Sequence, residues 1–184
     1  MTAMKTTWIL LATPLALTWS LAAQSASCPE LLNSKQRLLN SNQTIDLCEE
    51  FKGKTLLVVN TASQCGFTSQ YAQLEQLHQT YKDSNFAVIG FPSNDFKQDR
   101  GSEENTAKVC YLDYGVTFPM MARSSIKGAS ANHVFTKISE QAGVEPRWNF
   151  YKYLIDAKGD VVATFPSSTL PMSPALTQTI EKHL

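Results

Sequence analysis

The sequence has no excess of charge of either sign. Its 184 residues include 16 lysines and arginines against 16 aspartates and glutamates, so the formal net charge is zero. Proteins that bind nucleic acid usually carry surplus basic residues against the phosphates, and we therefore expect no nucleic-acid partner. Glycine and proline occur only 8 times each, which excludes collagen-like and low-complexity chains.

Charged residues make up only 17% of the chain, whereas hydrophobic residues make up 43%. This amount of apolar material is enough for a hydrophobic core, so disorder of the whole chain is excluded. The length suits one domain, since single domains usually have about 100–200 residues.

The longest apolar stretch, Trp8–Ala23, lies at the N-terminus. It follows Lys5 and precedes a run of small residues, which is the pattern of a secretory signal with cleavage after Ser25. A retained membrane anchor is the alternative, but the stretch is shorter than the roughly 20 residues that cross a bilayer. We therefore expect residues 1–25 to be removed. Residues 26–184 should form a single domain, periplasmic or secreted, without stable membrane association.

The first half of the mature chain predicts a strand, a helix and a strand. Thr55–Asn60 and Phe86–Phe91 are continuous apolar runs that suit strands buried on both faces. Between them, Gln70–Lys82 carries apolar residues at helical spacing, which completes a right-handed βαβ unit. Ahead of this unit, Gln36–Leu39 and Thr44–Leu47 flank a turn-prone Asn-Ser-Asn and predict an N-terminal β-hairpin.

The second half predicts two helices, a hairpin and a last helix. The helices cover Ser102–Tyr114 and Asn132–Gln141, and the strands of the hairpin are Tyr151–Asp156 and Val161–Phe165. The first helix carries the apolar residues Val109 and Leu112, which we expect in the core. Ser173 caps the last helix. This order is that of the thioredoxin-like fold. We expect an α/β domain in which helices flank a central mixed β-sheet, with the N-terminal β-hairpin added.

The four cysteines are Cys28, Cys48, Cys65 and Cys110, and they allow three pairings among which spacing does not choose. No two of them stand two or three residues apart, which excludes a zinc knuckle and a C-x-x-C dithiol site. No histidines stand four residues apart on a helix. We expect neither a metal nor a cofactor.

Cys65 is the strongest candidate for a nucleophile. It follows a predicted buried strand and precedes a predicted helix, so it should lie at the carboxyl edge of the sheet, where α/β proteins bind ligands. The start of a helix and its free N–H groups favour a thiolate there. The alternative is a packing cysteine, but the neighbours Ser63, Gln64, Gly66 and Thr68 form a poor hydrophobic niche.

Three separated motifs resemble the glutathione peroxidase family. The segment Asn60–Thr68 (NTASQCGFT) resembles the family's Asn-Val-Ala-Ser-x-Cys/Sec-Gly-x-Thr. The other two are Phe91–Gly101 and Trp148–Leu154 (WNFYKYL), and Gly115–Met120 also matches. The likeness spans roughly residues 36–184. It implies a thiol peroxidase that reduces hydrogen peroxide and organic hydroperoxides.

The resemblance also implies site residues. Cys65 is the peroxidatic cysteine, and Trp148 and Asn149 supply N–H groups around it. Cys110 takes the place of the resolving cysteine of cysteine-type relatives, and the helix around it has to unwind before the two sulfurs can meet. Cys28 and Cys48 are then left to form a structural disulfide, with lipidation of Cys28 as the alternative.

Asp95 departs from the family pattern, in which a glutamine at this place donates an amide N–H to the sulfur. An ionised carboxylate only accepts hydrogen bonds and disfavours a neighbouring thiolate. Asp95 should therefore be turned away, paired with Lys97 or Arg100, or protonated, and Gln64 or backbone N–H groups could supply the missing donor. A loop residue without catalytic role is the alternative.

Only four residues, Val144–Arg147, lie between Gly143 and Trp148. Tetrameric relatives that use glutathione carry a long insertion here, so the resemblance implies a monomer with an open Cys65 face. The reductant is either a thioredoxin-like protein or glutathione. Two other functions stay open: a peroxide sensor that passes oxidation to a partner protein, and a non-catalytic binding module on a peroxidase scaffold.

Overall fold

The computed structural model describes residues 27–184. The signal segment predicted for residues 1–25 lies outside the described residues. Within the part that is described, no helix is both long enough and apolar enough to cross a membrane.

The secondary structure follows the predicted order with one additional helix. The strands are β1 (Lys35–Arg37), β2 (Thr44–Asp46), β3 (Thr55–Thr61), β4 (Phe86–Pro92), β5 (Lys152–Ile155) and β6 (Val161–Phe165). The α-helices are α1 (Leu47–Phe51), α2 (Gln70–Tyr81), α3 (Glu103–Ala107), α4 (His133–Ala142) and α5 (Pro174–Glu181). A π-helix, Lys108–Asp113, continues α3, and single 3-10 turns cover Glu30–Leu32 and Gly128–Ser130.

The additional helix is α1, which begins at Leu47, where we expected the second strand of the hairpin to continue. The carboxylate of Asp46 accepts hydrogen bonds from the N–H groups of Cys48 and Glu49 at 3.0 and 3.3 Å. These bonds satisfy donors that the first turn of a helix leaves free, so Asp46 ends the strand and starts the helix.

The helix predicted over Ser102–Tyr114 is divided into two parts. It begins as α3 and changes to π-helical bonding, shown by the bond of 3.2 Å from the Tyr114 N–H to the Val109 carbonyl five residues earlier. The apolar pattern placed Leu112 in the core, but this side chain is 76% exposed. In the π-helix the buried side chain is that of Cys110. The register of the helix was therefore wrong in its second half.

Four strands form the central sheet in the order β4-β3-β5-β6. β3 and β4 are parallel, and β5 runs antiparallel to both β3 and β6. Every residue of β3 and β4 is buried, as their continuous apolar runs predicted. β1 and β2 form the separate N-terminal hairpin. This is the mixed sheet with an added hairpin that the element order indicated.

Helices cover both faces of the sheet, and the alternation of β3 divides the core accordingly. Leu57 and Val59 join the layer beneath α2 and α5, whereas Leu56 and Val58 join the layer beneath α1 and α4. The carboxyl ends of β3 and β4 and the start of β5 meet at one edge of the sheet. This arrangement brings the three separated motifs of the sequence together.

Cys28 and Cys48 form a disulfide whose Cα atoms lie 5.9 Å apart. The bond ties the beginning of the described chain to α1. Cys65 and Cys110 carry free thiols. The pairing uses the two cysteines that lie outside the sheet edge, and it occupies the Cys28 sulfur that lipidation would need.

We expect the double substitution Cys28→Ala, Cys48→Ala to lower the free energy of unfolding by about 3 kcal/mol. The bond closes a loop of 20 residues, and without it the unfolded chain regains the entropy that the loop removes. Urea unfolding of the two proteins measures the difference. Wild-type protein in excess reductant is the control and should unfold like the variant. Equal stability of wild type with and without reductant would contradict the prediction.

Candidate active site

Cys65 lies in the loop that follows β3, with its side chain only 8% exposed. The N–H of Phe67 donates a hydrogen bond to its sulfur at 3.4 Å. The Thr68 hydroxyl accepts the Cys65 N–H at 3.1 Å and donates to the Cys65 carbonyl, which holds the loop in a tight turn. An N–H donor favours the anionic form of a thiol, so this turn suits a nucleophilic sulfur.

The donor to the Cys65 sulfur is therefore a backbone N–H group, which is one of the two kinds of donor that we predicted from the sequence. The other was Gln64. Its backbone N–H instead donates to the carbonyl of Gln98 at 2.9 Å, which joins the Cys65 loop to the loop after β4. The α2 helix begins only at Gln70, five positions after Cys65, so Cys65 does not belong to its first turn.

Asn149 is completely buried at the same edge. Its amide nitrogen donates to the side-chain oxygen of Gln98 at 3.2 Å. Its own side-chain oxygen has no hydrogen-bond partner among the described residues. Gln98 therefore bridges the Cys65 loop, through its backbone, and Asn149, through its side chain. We did not single out Gln98 from the sequence, although it lies inside the second motif.

Trp148 differs from Asn149 in that its side chain is 40% exposed. Its ring packs against Phe96 with ring centroids 5.2 Å apart, and the Lys127 ammonium stands 4.8 Å from the centre of the Phe96 ring. The indole thus remains partly open to solvent.

Asn60, near the end of β3, holds Trp148 and Asn149 at this edge. Its side-chain nitrogen donates to the Trp148 carbonyl at 3.0 Å, and its side-chain oxygen accepts the Tyr151 N–H at 3.1 Å. Phe150, between these partners, adopts a left-handed backbone with φ of +62°, which is costly for a residue with a Cβ atom. The Asn60 bonds thus stabilise the strained turn that carries the third motif.

The Asp95 side chain is directed toward the segment around Ser125. Its carboxylate accepts hydrogen bonds from the Ser125 hydroxyl at 2.9 and 3.1 Å and from the Ile126 N–H at 2.8 Å. Pairing with Lys97 or Arg100, one of the expectations, is wrong: the Arg100 guanidinium donates to the Lys97 carbonyl instead. Asp95 therefore organises the segment after residue 124.

Two further charges that the sequence did not single out lie behind the Cys65 loop. The Asp99 carboxylate is completely buried and forms an ion pair of 2.7 Å with Arg123. Asp99 also accepts the N–H and the hydroxyl of Ser63 at 2.8 and 2.6 Å. Asp99 could have been found because it lies in the second motif, whereas nothing in its local sequence marks Arg123.

Cys110 belongs to the same hydrophobic cluster as Cys65, and its side chain is completely buried. Burial raises the pKa of its thiol to about 11, because the protein interior disfavours the anion. In the structure as it stands, Cys110 is a protected neutral thiol. Among residues 27–184, no three histidines, cysteines or carboxylates cluster as metal ligands would.

Fold and site together define a thioredoxin-like protein with a free cysteine at the edge of its sheet. The family model for glutathione peroxidase matches residues 34–139. Glutathione peroxidase-like peroxiredoxin 2 of Saccharomyces cerevisiae is 45% identical over 131 residues, which cover 68% of this chain and 81% of the yeast protein. The chain belongs to the glutathione peroxidase family, as its motifs predicted, and it is a peroxidase of the oxidoreductase class.

Solved structures agree with this assignment. The apo crystal structure of Trgpx superposes with a TM-score of 0.66 at 31% identity, covering 84% of this chain and 95% of that one. A secreted disulfide oxidoreductase of Mycobacterium tuberculosis superposes with a TM-score of 0.58 at 15% identity, covering 84% and 98%. The second likeness concerns the fold alone, and it confirms the thioredoxin-like class.

We expect Asp95→Gln to leave the thiolate fraction of Cys65 at pH 7 unchanged within about threefold. The Asp95 carboxylate accepts hydrogen bonds from Ser125 and Ile126, so we expect its charge to act on that segment rather than on the sulfur. Thiolate absorbance or alkylation rate in a Cys110→Ser background measures the fraction. Wild-type Asp95 in that background is the control. A rise of about tenfold, which corresponds to one pKa unit, would show that Asp95 restrains the thiolate.

The raised pKa of Cys110 predicts a loss of stability in alkali. The folded protein holds this thiol proton up to about pH 11, whereas the unfolded chain releases it near the usual value of about 8.5. Stability from this group is therefore complete below about pH 8.5 and falls by at most about 1.4 kcal/mol per pH unit above it. Urea unfolding from pH 8 to 10.5 should show a shallower fall for Cys110→Ala. Parallel curves for wild type and variant would contradict the shift.

Proposed function

We propose that this peroxidase reduces hydrogen peroxide and organic hydroperoxides with Cys65 as the nucleophile and Cys110 as the resolving thiol. The observation that carries the proposal is the Cys65 sulfur, which lies at the open edge of the sheet and accepts the Phe67 N–H at 3.4 Å. The same edge brings Trp148 and Asn149 to the loop that holds Cys65.

In the first step the Cys65 thiolate attacks one peroxide oxygen. The O–O bond breaks, the attacked oxygen stays on sulfur as a sulfenic acid, and the other oxygen takes a proton and leaves as water or an alcohol. Charge develops on the leaving oxygen, and N–H groups that already point there lower the barrier. We assign this role to the half-exposed indole of Trp148 and to the amide of Asn149.

In the second step Cys110 forms a disulfide with Cys65. The Cys110 sulfur bonds to the Cys65 sulfur, the S–O bond breaks, and the oxygen leaves as water. The thiol is buried in the resting protein, and bridged cysteines need Cα atoms within about 7 Å, so the π-helix Lys108–Asp113 has to open first. Tyr111 and Leu112, which are exposed, make that opening less costly.

A protein dithiol is the reductant that this site suits best, with glutathione as the second candidate. The connection from Gly143 to Trp148 is short, which supports a monomer in which no neighbouring subunit covers the side of the molecule that holds Cys65. A disulfide between Cys65 and Cys110 at this face would be open to attack by a thioredoxin-like partner.

We further propose that the protein works outside the cytoplasm, in the periplasm or after secretion. The apolar N-terminal segment with small residues at its end supports a signal peptide. The Cys28–Cys48 disulfide supports the same conclusion, since such bonds persist mainly in oxidising compartments. The thioredoxin-like reductant would then also have to be extracytoplasmic.

A peroxide sensor is the second candidate, because a sensor would use the same sulfur chemistry and pass the oxidation to a partner protein. A binding module without catalysis is disfavoured, because Cys65 keeps a free thiol with an N–H donor and both Trp148 and Asn149 of the third motif are present. Asp95, the one departure from the family pattern, has its own partners at Ser125 and Ile126.

We expect Cys65→Ser to abolish peroxide consumption, since a serine hydroxyl without an activating base stays protonated at neutral pH and does not form a sulfenic acid. The assay follows peroxide with a thioredoxin-type and a glutathione-type reductant side by side. Cys110→Ser is the matched comparison: it should still consume one equivalent of peroxide but lose turnover with the dithiol. Appreciable turnover of Cys65→Ser would overturn the assignment. Slow wild-type turnover combined with oxidation of a trapped partner protein would favour the sensor.

A further inference from the structure

The Asp99 carboxylate joins the Cys65 loop to the helix that leads to Cys110. On one side it accepts the N–H and the hydroxyl of Ser63, two residues before Cys65, at 2.8 and 2.6 Å. On the other side it accepts the Thr106 hydroxyl, 3.1 Å from each carboxylate oxygen. Thr106 lies in the last turn of α3, four residues before Cys110.

Arg123 completes this connection and fixes the rest of α3. Its Nε atom donates to Asp99 at 2.7 Å, and one Nη atom donates to the Thr106 hydroxyl at 2.9 Å. The other Nη atom donates to the Gly101 carbonyl at 2.8 Å, ahead of the helix. Because Asp99 is completely buried, the bonds to its carboxylate are shielded from water and stronger than the same bonds at the surface.

The fixed part of the helix ends where the π-helix starts. Ser102 caps α3 by accepting the Asn105 N–H at 3.3 Å, and Thr106 is anchored as described. In Lys108–Asp113, by contrast, only Cys110 is buried, and Leu112 is 76% exposed. Opening of this segment has to release Cys110 and the half-buried Val109 from the core, together with the bond from the Val116 N–H to the Cys110 carbonyl. The N-terminal boundary of the segment lies at Thr106 and Ala107.

We propose that Asp99 is a positioning residue for the resolving step: it keeps α3 attached to the Cys65 loop while the Cys110 segment opens. This inference rests on the proposed function. The step itself is the displacement already written, in which the Cys110 sulfur replaces the sulfenic oxygen on Cys65 and water leaves. Asp99 touches neither sulfur and acts through Ser63 and Thr106.

The length of the chain explains why the attachment matters. Thr106 and Cys110 are four residues apart, and a fully extended chain of that length spans at most about 14 Å. With α3 anchored to the loop of Cys65, the opened Cys110 is confined near its target, which keeps its effective concentration high. Without the anchor, unwinding could extend into α3 and carry Cys110 away.

The test uses Thr106→Val, which removes the hydroxyl at nearly constant volume and leaves the bonds of Asp99 to Ser63 and Arg123 in place. The substitution also removes the acceptor of one Arg123 Nη atom. We expect formation of the Cys65–Cys110 disulfide after one equivalent of peroxide to slow at least about fivefold, since a single hydrogen bond is usually worth that much. More Cys65 should reach sulfinic acid at high peroxide, as quantified by mass spectrometry. The peroxide step, measured in a Cys110→Ser background, should not change.

Thr55→Val is the matched control, because Thr55 is also buried and its hydroxyl donates to the His183 carbonyl at 2.6 Å, at the far end of β3. This variant should form the disulfide at the wild-type rate. Equal disulfide and sulfinic acid yields in Thr106→Val and wild type would overturn the role of Asp99 while leaving the proposed function intact. A wild-type protein that forms no Cys65–Cys110 disulfide would instead overturn the resolving role of Cys110, and this inference with it.

Discussion

The candidate active site depends on the side-chain amide of Asn60. This residue is completely buried near the end of β3, and both ends of its amide are used, toward the Trp148 carbonyl and the Tyr151 N–H. An apolar residue of similar size would leave both backbone groups unpaired in the interior, at a cost of about 1–3 kcal/mol each. The same bonds hold Phe150 at its positive φ, so the presentation of Trp148 and Asn149 follows from one side chain in another strand.

The neighbouring loops obey the same constraint. Strands that end at the edge of a sheet leave backbone groups without ladder partners, and buried groups of this kind have to be satisfied. Here Gln98 accepts hydrogen bonds from the Gln64 N–H and the Asn149 side chain, and Asp99 accepts the Ser63 N–H. The polar groups at this edge therefore stabilise the loops and hold Cys65 in place at the same time.

The two free cysteines differ in their hydrogen-bond surroundings, although both are buried in the same hydrophobic cluster. Cys65 lies in a polar turn with an N–H donor on its sulfur, whereas Cys110 is buried among apolar side chains that raise its pKa to about 11. A buried neutral thiol of this kind is a poor nucleophile. In the proposed mechanism, Asp99 and Arg123 hold α3 while the π-helix opens, so the motion is confined to the residues around Cys110.

Short-range patterns were enough to predict the layout of this protein. Continuous apolar runs determined β3 and β4, helical spacing determined α2, and the place of Cys65 between a strand and a helix indicated a nucleophile. Each of these depends on residues close together in the chain, where burial alone decides the conformation. The family motifs added the roles expected of Trp148 and Asn149.

Other features were decided only by the tertiary structure. The start of α1 depends on the Asp46 cap, and the π-helix exposes Leu112 although its spacing predicted a core position. The orientation of the Asp95 side chain depends on its hydrogen bond with Ser125, and the buried position of the Asp99 carboxylate depends on its ion pair with Arg123. In both pairs the partners stand more than twenty residues apart, and a buried charge takes whichever distant donor the fold brings to it. No local pattern in the sequence records that choice.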